Sequence, residues 1–207
     1  MRIVFAHFNL FYSGELPDVG VPYTGDNYSN TMTPHIACII CDLPNCAMNP
    51  SNSSEGGYLN SYMHSTFLSE KVLTALSGIG ITISDHLVKH KKLLTNSITN
   101  NGINRYGTST GCSNEWEWED AYISLMSEIQ LYGSIIWSSS GYDTGEANEK
   151  LAIFNFIRPN KLFGKKNIWL RDVASAAGFT VLSIDGLALN GYASHTDVTP
   201  APLILLK

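Results

Sequence analysis

Apolar residues recur along this chain with two periods, and the change between them marks its elements. Residues 2–8, "RIVFAHF", and 35–41, "HIACIIC", are short apolar runs and predict strands, the second buried on both faces. Gly, Pro, Asn, Asp and Thr crowd the stretch between them, so a long loop is expected over 9–34. "DLPNCAMNPSNSSEGG" follows as another loop, with Pro44 and Pro50 opposing a helix. Over 58–77 the spacing turns helical through Leu59, Tyr62, Met63, Phe67, Val72, Leu73 and Leu76, and Gly78 and Gly80 end the segment. "HLVKHKKLL" at 86–94 predicts a strand with Leu87, Lys89, Lys91 and Leu93 on one face, and 95–114 a loop. "DAYISLMSEIQLYG" predicts the second main helix, capped by Asp120, striped by Ile123, Met126, Ile129 and Tyr132, and stopped at Gly133. "GEANEKLAIFNF" reads as a short helix ending before Pro159. The last forty residues return to strands, "NIWLR", "FTVLSI", "LALN" and "LILL", with Asp185 and Gly186 as a two-residue hairpin turn. Two main helices followed by a run of strands, with no internal repeat, argue an α+β fold in one domain over 1–207.

Composition narrows the functional classes. Net charge is 13 − 18 = −5, and only 15% of residues are charged. The densest basic cluster is "KHKK", Lys89–Lys92, which is no match for the many phosphate contacts of a nucleic-acid binder. Runs such as "IACIIC" fall far short of the ~20 apolar residues of a membrane-crossing helix, so no membrane insertion is expected. His7 and Asn9 interrupt the apolar start and no small-residue cleavage site follows, which argues against a secretion signal.

Candidate chemistry is sparse. Cys38 and Cys41 have metal-like spacing, and Cys46 and Cys112 complete a set of four. In a strand, positions 38 and 41 point to opposite faces, which favours buried thiols while leaving a disulfide or a metal open. His86 and His90 share a face but lie too far apart along a strand to hold one ion, so they read as surface histidines. "DTGEANE", 143–149, gathers oxygens without the spacing of a Ca²⁺ loop. A helix start accounts for it better, and Ca²⁺ stays open. Glu115, Glu117 and Glu119 alternate as a solvated edge. No nucleophile elbow or phosphate loop occurs, so no catalytic residue is assigned and an enzyme is not expected. Trp169 and Arg171, two apart in a strand, are assigned structural roles, as are Trp116 and Trp118 in "WEWED".

Four blocks carry a resemblance: "HIACIICDLPNCAMNPSNSSEGGYLNSYM", "WEWEDAYISLMSEIQLYGS", "KLAIFNF" with Pro159, and "NIWLRDVASAAGFTVLSIDGLALNGYAS". In order and spacing over about 35–196, the chain resembles a family of uncharacterised domains common in phages of Gram-positive and gut bacteria, related to C-type lectin-like folds. Two departures stand out. Thr199 occupies the place of an Arg in the family's Arg-Pro pair, with Pro200 retained, so the network that Arg fixes is expected to be missing. Family members also carry a stretch before the strand at Arg2, which implies a fragment, a shortened version, or a module whose missing strand comes from elsewhere.

The resemblance implies a C-type lectin-like domain in a virion: a capsid decoration, head fibre or tail-tip receptor binder. It implies other virion proteins and further copies of the chain as partners, and a host-surface glycan or protein as ligand. The family's variable ligand face maps to the loop and hairpin after Arg171. The candidate contacts there are Ser175, Phe179, Thr180, Ser183, Asp185, Leu187, Tyr192 and His195. Plain assembly without a ligand is the alternative.

Overall fold

The computed structural model describes residues 1–8, 34–78, 83–99, 112–137 and 150–207. The fold is mixed α+β, with sheets predominating over a few helices. Strand β1 (Arg2–Phe8) pairs antiparallel with β2 (Ile36–Cys41), which pairs with β10 (Pro202–Leu206), which pairs with β5 (Ile123–Leu125). A second four-stranded sheet has the order β8 (Ala188–Tyr192), β7 (Gly178–Leu182), β6 (Ile168–Ser175), β9 (Thr199–Pro200). Its β6–β9 pair alone is parallel. A separate ribbon joins β3 (His90–Thr99) to β4 (Cys112–Ala121).

Both four-stranded sheets lie between two apolar clusters, and this explains their sequences. Along β2, Ala37, Ile39 and Cys41 enter one cluster while Cys38 and Ile40 enter the other. Ile168 and Leu170 of β6 likewise oppose Trp169 and Val173. A strand covered on both faces needs a continuous apolar run rather than alternation, as β2 has; all eight residues of β6 are buried too, Arg171 and Asp172 among them. Trp169 is wholly buried, and its indole N–H donates to the Cys46 carbonyl at 2.8 Å. Arg171 is also wholly buried. Its charge acts on Tyr58, whose hydroxyl burial pushes above the ordinary tyrosine range, while a hydrogen bond from the Leu125 N–H and the Arg171 charge pull the other way.

The first helix forms over the later part of its predicted span, 58–60 being turns, and ten of its residues, Met63–Val72, are wound as a π-helix before α1 (Leu73–Ser77). Gly78 follows at φ −83°, still right-handed. The second predicted helix is overturned. Residues 112–121 and 123–125 are strands, and the helix shrinks to α3 (Glu128–Tyr132). Pairing with β10 decides the matter, since Ile123 and Ile204 face each other in register and both are buried. The true cap is Ser127, which forms a reciprocal capping box with Gln130, and Gly133 at φ 82° closes the helix as expected.

The segment 86–94 begins as a helical turn, α2 (Ile83–His86), rather than a strand. Val88 docks on Leu205, and β3 runs on to Thr99 inside the expected loop. Lys92, opposite Glu119, is wholly buried beside Leu94. The predicted helix before Pro159 is a 3₁₀ turn over Ala152–Asn155, and α4 (Pro159–Leu162) starts at the proline itself. Most of the expected loop over 9–34 and all of the Ca²⁺ candidate stretch 143–149 lie outside the described residues.

Candidate functional site

The hairpin β7–β8 is the natural candidate surface, and its turn differs from expectation. Ser183 N–H donates to the Leu187 carbonyl at 2.8 Å and Gly186 N–H to the Ser183 carbonyl at 2.9 Å. Three residues therefore make the loop, and Gly186 at φ 90° carries the left-handed position. A type I turn closed by a glycine bulge has this form, and only the glycine needs positive φ. Asn160 of α4 holds the tip by donating to the Ile184 carbonyl at 3.1 Å.

Of the eight candidate contacts, four turn inward. Phe179 and Thr180 are wholly buried, and Ser175 and Ser183 nearly so. Phe179 belongs to the core cluster of Trp169. Thr180 donates its hydroxyl to Glu128 at 2.7 Å, and the Ser183 hydroxyl accepts from the Leu187 N–H. These four hold the hairpin and offer nothing to a ligand at the surface.

Asp185, Leu187, Tyr192 and His195 are exposed, but strand alternation separates them. Leu187, Leu189 and Gly191 share one face, where Gly191 abuts Val181 and Trp169. Ala188, Asn190 and Tyr192 take the other. Leu187 and Tyr192 are thus on opposite faces and roughly 16 Å apart along the strand. The tip presents aliphatic groups, with Ile184 48%, Leu187 62% and Leu189 47% exposed.

The base presents a different surface. Tyr192 is 52% exposed, and its ring meets the His195 imidazole edge-on with centroids 5.5 Å apart. The His195 N–H closes this turn by donating to the Tyr192 carbonyl at 3.0 Å. Beside them Ser194 donates both its N–H and its hydroxyl to Asn52, and Ser175 donates to Asn190 at 3.2 Å. An aromatic face ringed by neutral amides and hydroxyls suits recognition by stacking and hydrogen bonding.

The loop 42–57 stitches this base to the core. Asn49 N–H donates to the Ala193 carbonyl at 3.0 Å, Cys46 N–H to Val198 at 3.1 Å and Ser54 N–H to Ala176 at 3.0 Å. Thr199 donates its hydroxyl to Asn45 at 2.6 Å.

Sequence reasoning missed the buried carboxylates beneath the hairpin. Glu128 is wholly buried and accepts from Ile136 N–H at 2.7 Å, Trp137 N–H at 2.9 Å and the Thr180 hydroxyl. Asp172 in turn accepts from the Glu128 N–H at 2.7 Å. Burial first, and the Glu128 charge second, push the Tyr132 hydroxyl above the ordinary tyrosine range. The motif Ser127-Glu-Ile-Gln130 was the available signal for the helix that presents Glu128. Glu119, its side chain 40% exposed, keeps to the expected solvated edge but also meets His64, buried on the π-helix, at 2.7 Å and so ties the ribbon to the body. Glu115 and Glu117 remain exposed.

Cys38, Cys41 and Cys46 are free thiols, and the first two lie in opposite core clusters. Burial raises the pKa of all three. Trp116 and Trp118 are half-buried on β4, opposite Thr95 and Leu93. Among the described residues no group of three His, Cys, Asp or Glu side chains is placed to hold a metal ion, and no helix is long and apolar enough to cross a membrane. Family models, curated proteins and solved structures yield no match to this chain.

Proposed function

We propose that the chain is a bacteriophage virion domain of C-type lectin-like plan that attaches the particle to a host-surface glycan or protein. The observation that carries this reading is the Tyr192–His195 pair, exposed at the base of a hairpin whose inner side chains are locked into the core. The resemblance of four ordered sequence blocks supports the virion context. Variable groups on a rigid frame are how binding loops change specificity without unfolding their domain. On this reading the protein binds rather than catalyses, acts in the virion after assembly in the host cytoplasm, and works in several copies beside other virion proteins. Glycan-array and whole-cell binding by the purified chain test it. Tyr192→Ala and His195→Ala are expected to abolish binding while leaving the melting temperature unchanged. No binding by the unaltered chain to host cells or sugars would sink the reading.

A decoration role without a ligand is the second reading, and the aliphatic tip favours it. Ile184, Leu187 and Leu189 form an apolar stripe of the kind that marks protein contacts. Leu187→Ser should then block incorporation into particles, whereas Tyr192→Ala should not.

A further inference from the structure

The outer edge of β8 ought to be a hazard. The β7–β8 ladder runs without a register shift from Gly178↔Tyr192 to Leu182↔Ala188. Ser183 N–H bonds the Leu187 carbonyl at one end, and Ala193 N–H bonds the Ala177 carbonyl at the other. Residues 187, 189, 191 and 193 therefore point their backbone groups at β7, and Ala188, Asn190 and Tyr192 point theirs outward. The strand "ALNGY" has no charge, no proline and no bulge, so it lacks the usual devices that keep a sheet edge from pairing with another chain. By contrast, β1 at the edge of the other sheet carries a register shift between Phe5 and His7.

Among the described residues two contacts stand in for those devices. The Trp137 indole N–H donates to the Ala188 carbonyl at 3.0 Å, and the His195 N–H donates to the Tyr192 carbonyl at 3.0 Å. Both flank Asn190. Trp137 is itself held from below, since its backbone N–H donates to the buried Glu128 carboxylate.

We infer that Trp137 is an edge guard whose removal lets β8 pair antiparallel with β8 of a second copy of this chain. Uncharged strands of identical sequence are self-complementary about a two-fold axis. With the axis at Asn190, the two Asn190 residues exchange backbone hydrogen bonds, and Ala188 of each copy faces Tyr192 of the other. That register exchanges two bonds between Ala188 and Tyr192: the Tyr192 N–H must reach the Ala188 carbonyl, where the bulky Trp137 indole sits, and the Ala188 N–H must share the Tyr192 carbonyl with the His195 N–H, which the second lone pair of that oxygen allows. The symmetry presents this obstruction twice. The inference involves no ligand and stands apart from the attachment reading.

Trp137→Phe keeps an aromatic ring and removes only the indole N–H and its second ring. Sedimentation equilibrium of the full chain should show the parent at a mass independent of this edge, and Trp137→Phe at up to twice that mass as concentration rises. Adding Asn190→Pro removes the central outward donor, a change tolerated on an outward-facing edge position, and should return the mass to the parent value. Amide exchange gives an independent readout, because the Asn190 N–H should become slow to exchange in Trp137→Phe with increasing concentration. A Trp137→Phe protein that folds, sediments like the parent and keeps Asn190 exchange independent of concentration overturns the inference. Association of Trp137→Phe that persists in Trp137→Phe/Asn190→Pro, or that leaves the Asn190 N–H of Trp137→Phe unprotected, overturns it as well.

Discussion

Removing the Glu128 carboxylate should cost this fold a large part of its stability. The side chain is wholly buried and receives two backbone N–H groups and one hydroxyl. In Glu128→Ala the Thr180 hydroxyl loses its acceptor in a fully buried setting, worth about 1–3 kcal/mol. The Ile136 and Trp137 N–H groups are half-buried, so water relieves part of their loss. With the cavity left by the side chain, the total should reach about 3–5 kcal/mol, as for other broken buried networks. That is a large share of the roughly 5–15 kcal/mol that holds a typical domain together. Glu128→Gln keeps the volume but must turn an NH₂ toward a backbone N–H in either orientation, since both oxygens accept from that segment. Urea unfolding followed by tryptophan fluorescence measures the change, read from midpoints at unchanged slope. A double-mutant cycle with Thr180→Val should give a coupling of about 1.5–3 kcal/mol, the range for hydrogen bonds to charged groups. A Glu128→Ala penalty below about 1 kcal/mol, or zero coupling to Thr180, would refute the argument that this carboxylate fastens the 135–137 segment to β7.

Two further outcomes test the packing and the thiols. Gly191→Ala should destabilise by about 1–3 kcal/mol, the usual cost of overpacking, because the added methyl would lie 2.5 Å from Val181 Cγ2 and 3.1 Å from the Trp169 ring; thermal melts check it. Burial raises the thiol pKa of Cys38 and Cys41, so their contribution is intact below the unfolded thiol value of about 8.5 and is lost as pH climbs through the folded values. The urea midpoint should therefore fall above that pH, and both thiols should resist Ellman's reagent until urea unfolds the chain.

What was legible in the sequence follows from which forces act locally. The continuous apolar run of β2 is written in the chain because two cores cover both faces of the strand, and β6 shows the same only over Ile168–Leu170 before Arg171 and Asp172 interrupt it. The π-wound helix was legible as a helix from its buried Met63, Phe67, Val72 and Leu76, though not in its winding. The segment 120–133 misled because Ile123, Met126 and Ile129 fit a helical stripe as well as they fit a strand followed by a short helix. Only β10, eighty residues away, selects the strand. The candidate face was half legible. Its outward groups Asp185, Leu187, Tyr192 and His195 came from composition, but composition has no period. It could not show that Phe179 and Thr180 point inward, or that Leu187 and Tyr192 face opposite ways. Glu128 escaped because a single Glu on a polar helix carries no mark of burial until the donors it meets, eight, nine and fifty-two residues on, are brought to it.

The geometry of the hairpin separates two tasks that the sequence runs together. Tyr192 and His195 form a surface at the base, while Trp137 and the His195 backbone close the edge. His195 therefore serves twice, its ring against Tyr192 and its N–H on the Tyr192 carbonyl. A substitution of its side chain alters the surface and spares the edge, since the N–H belongs to the backbone. Trp137→Phe does the reverse, because it lies on the carbonyl of Ala188 and leaves the Tyr192–His195 contact in place. The proposed attachment and the inferred self-association should thus vary independently along one hairpin. If His195→Ala changed the mass of the protein in solution, the edge and the surface would be one device rather than two, and the assignment of the guard to Trp137 would have to be abandoned.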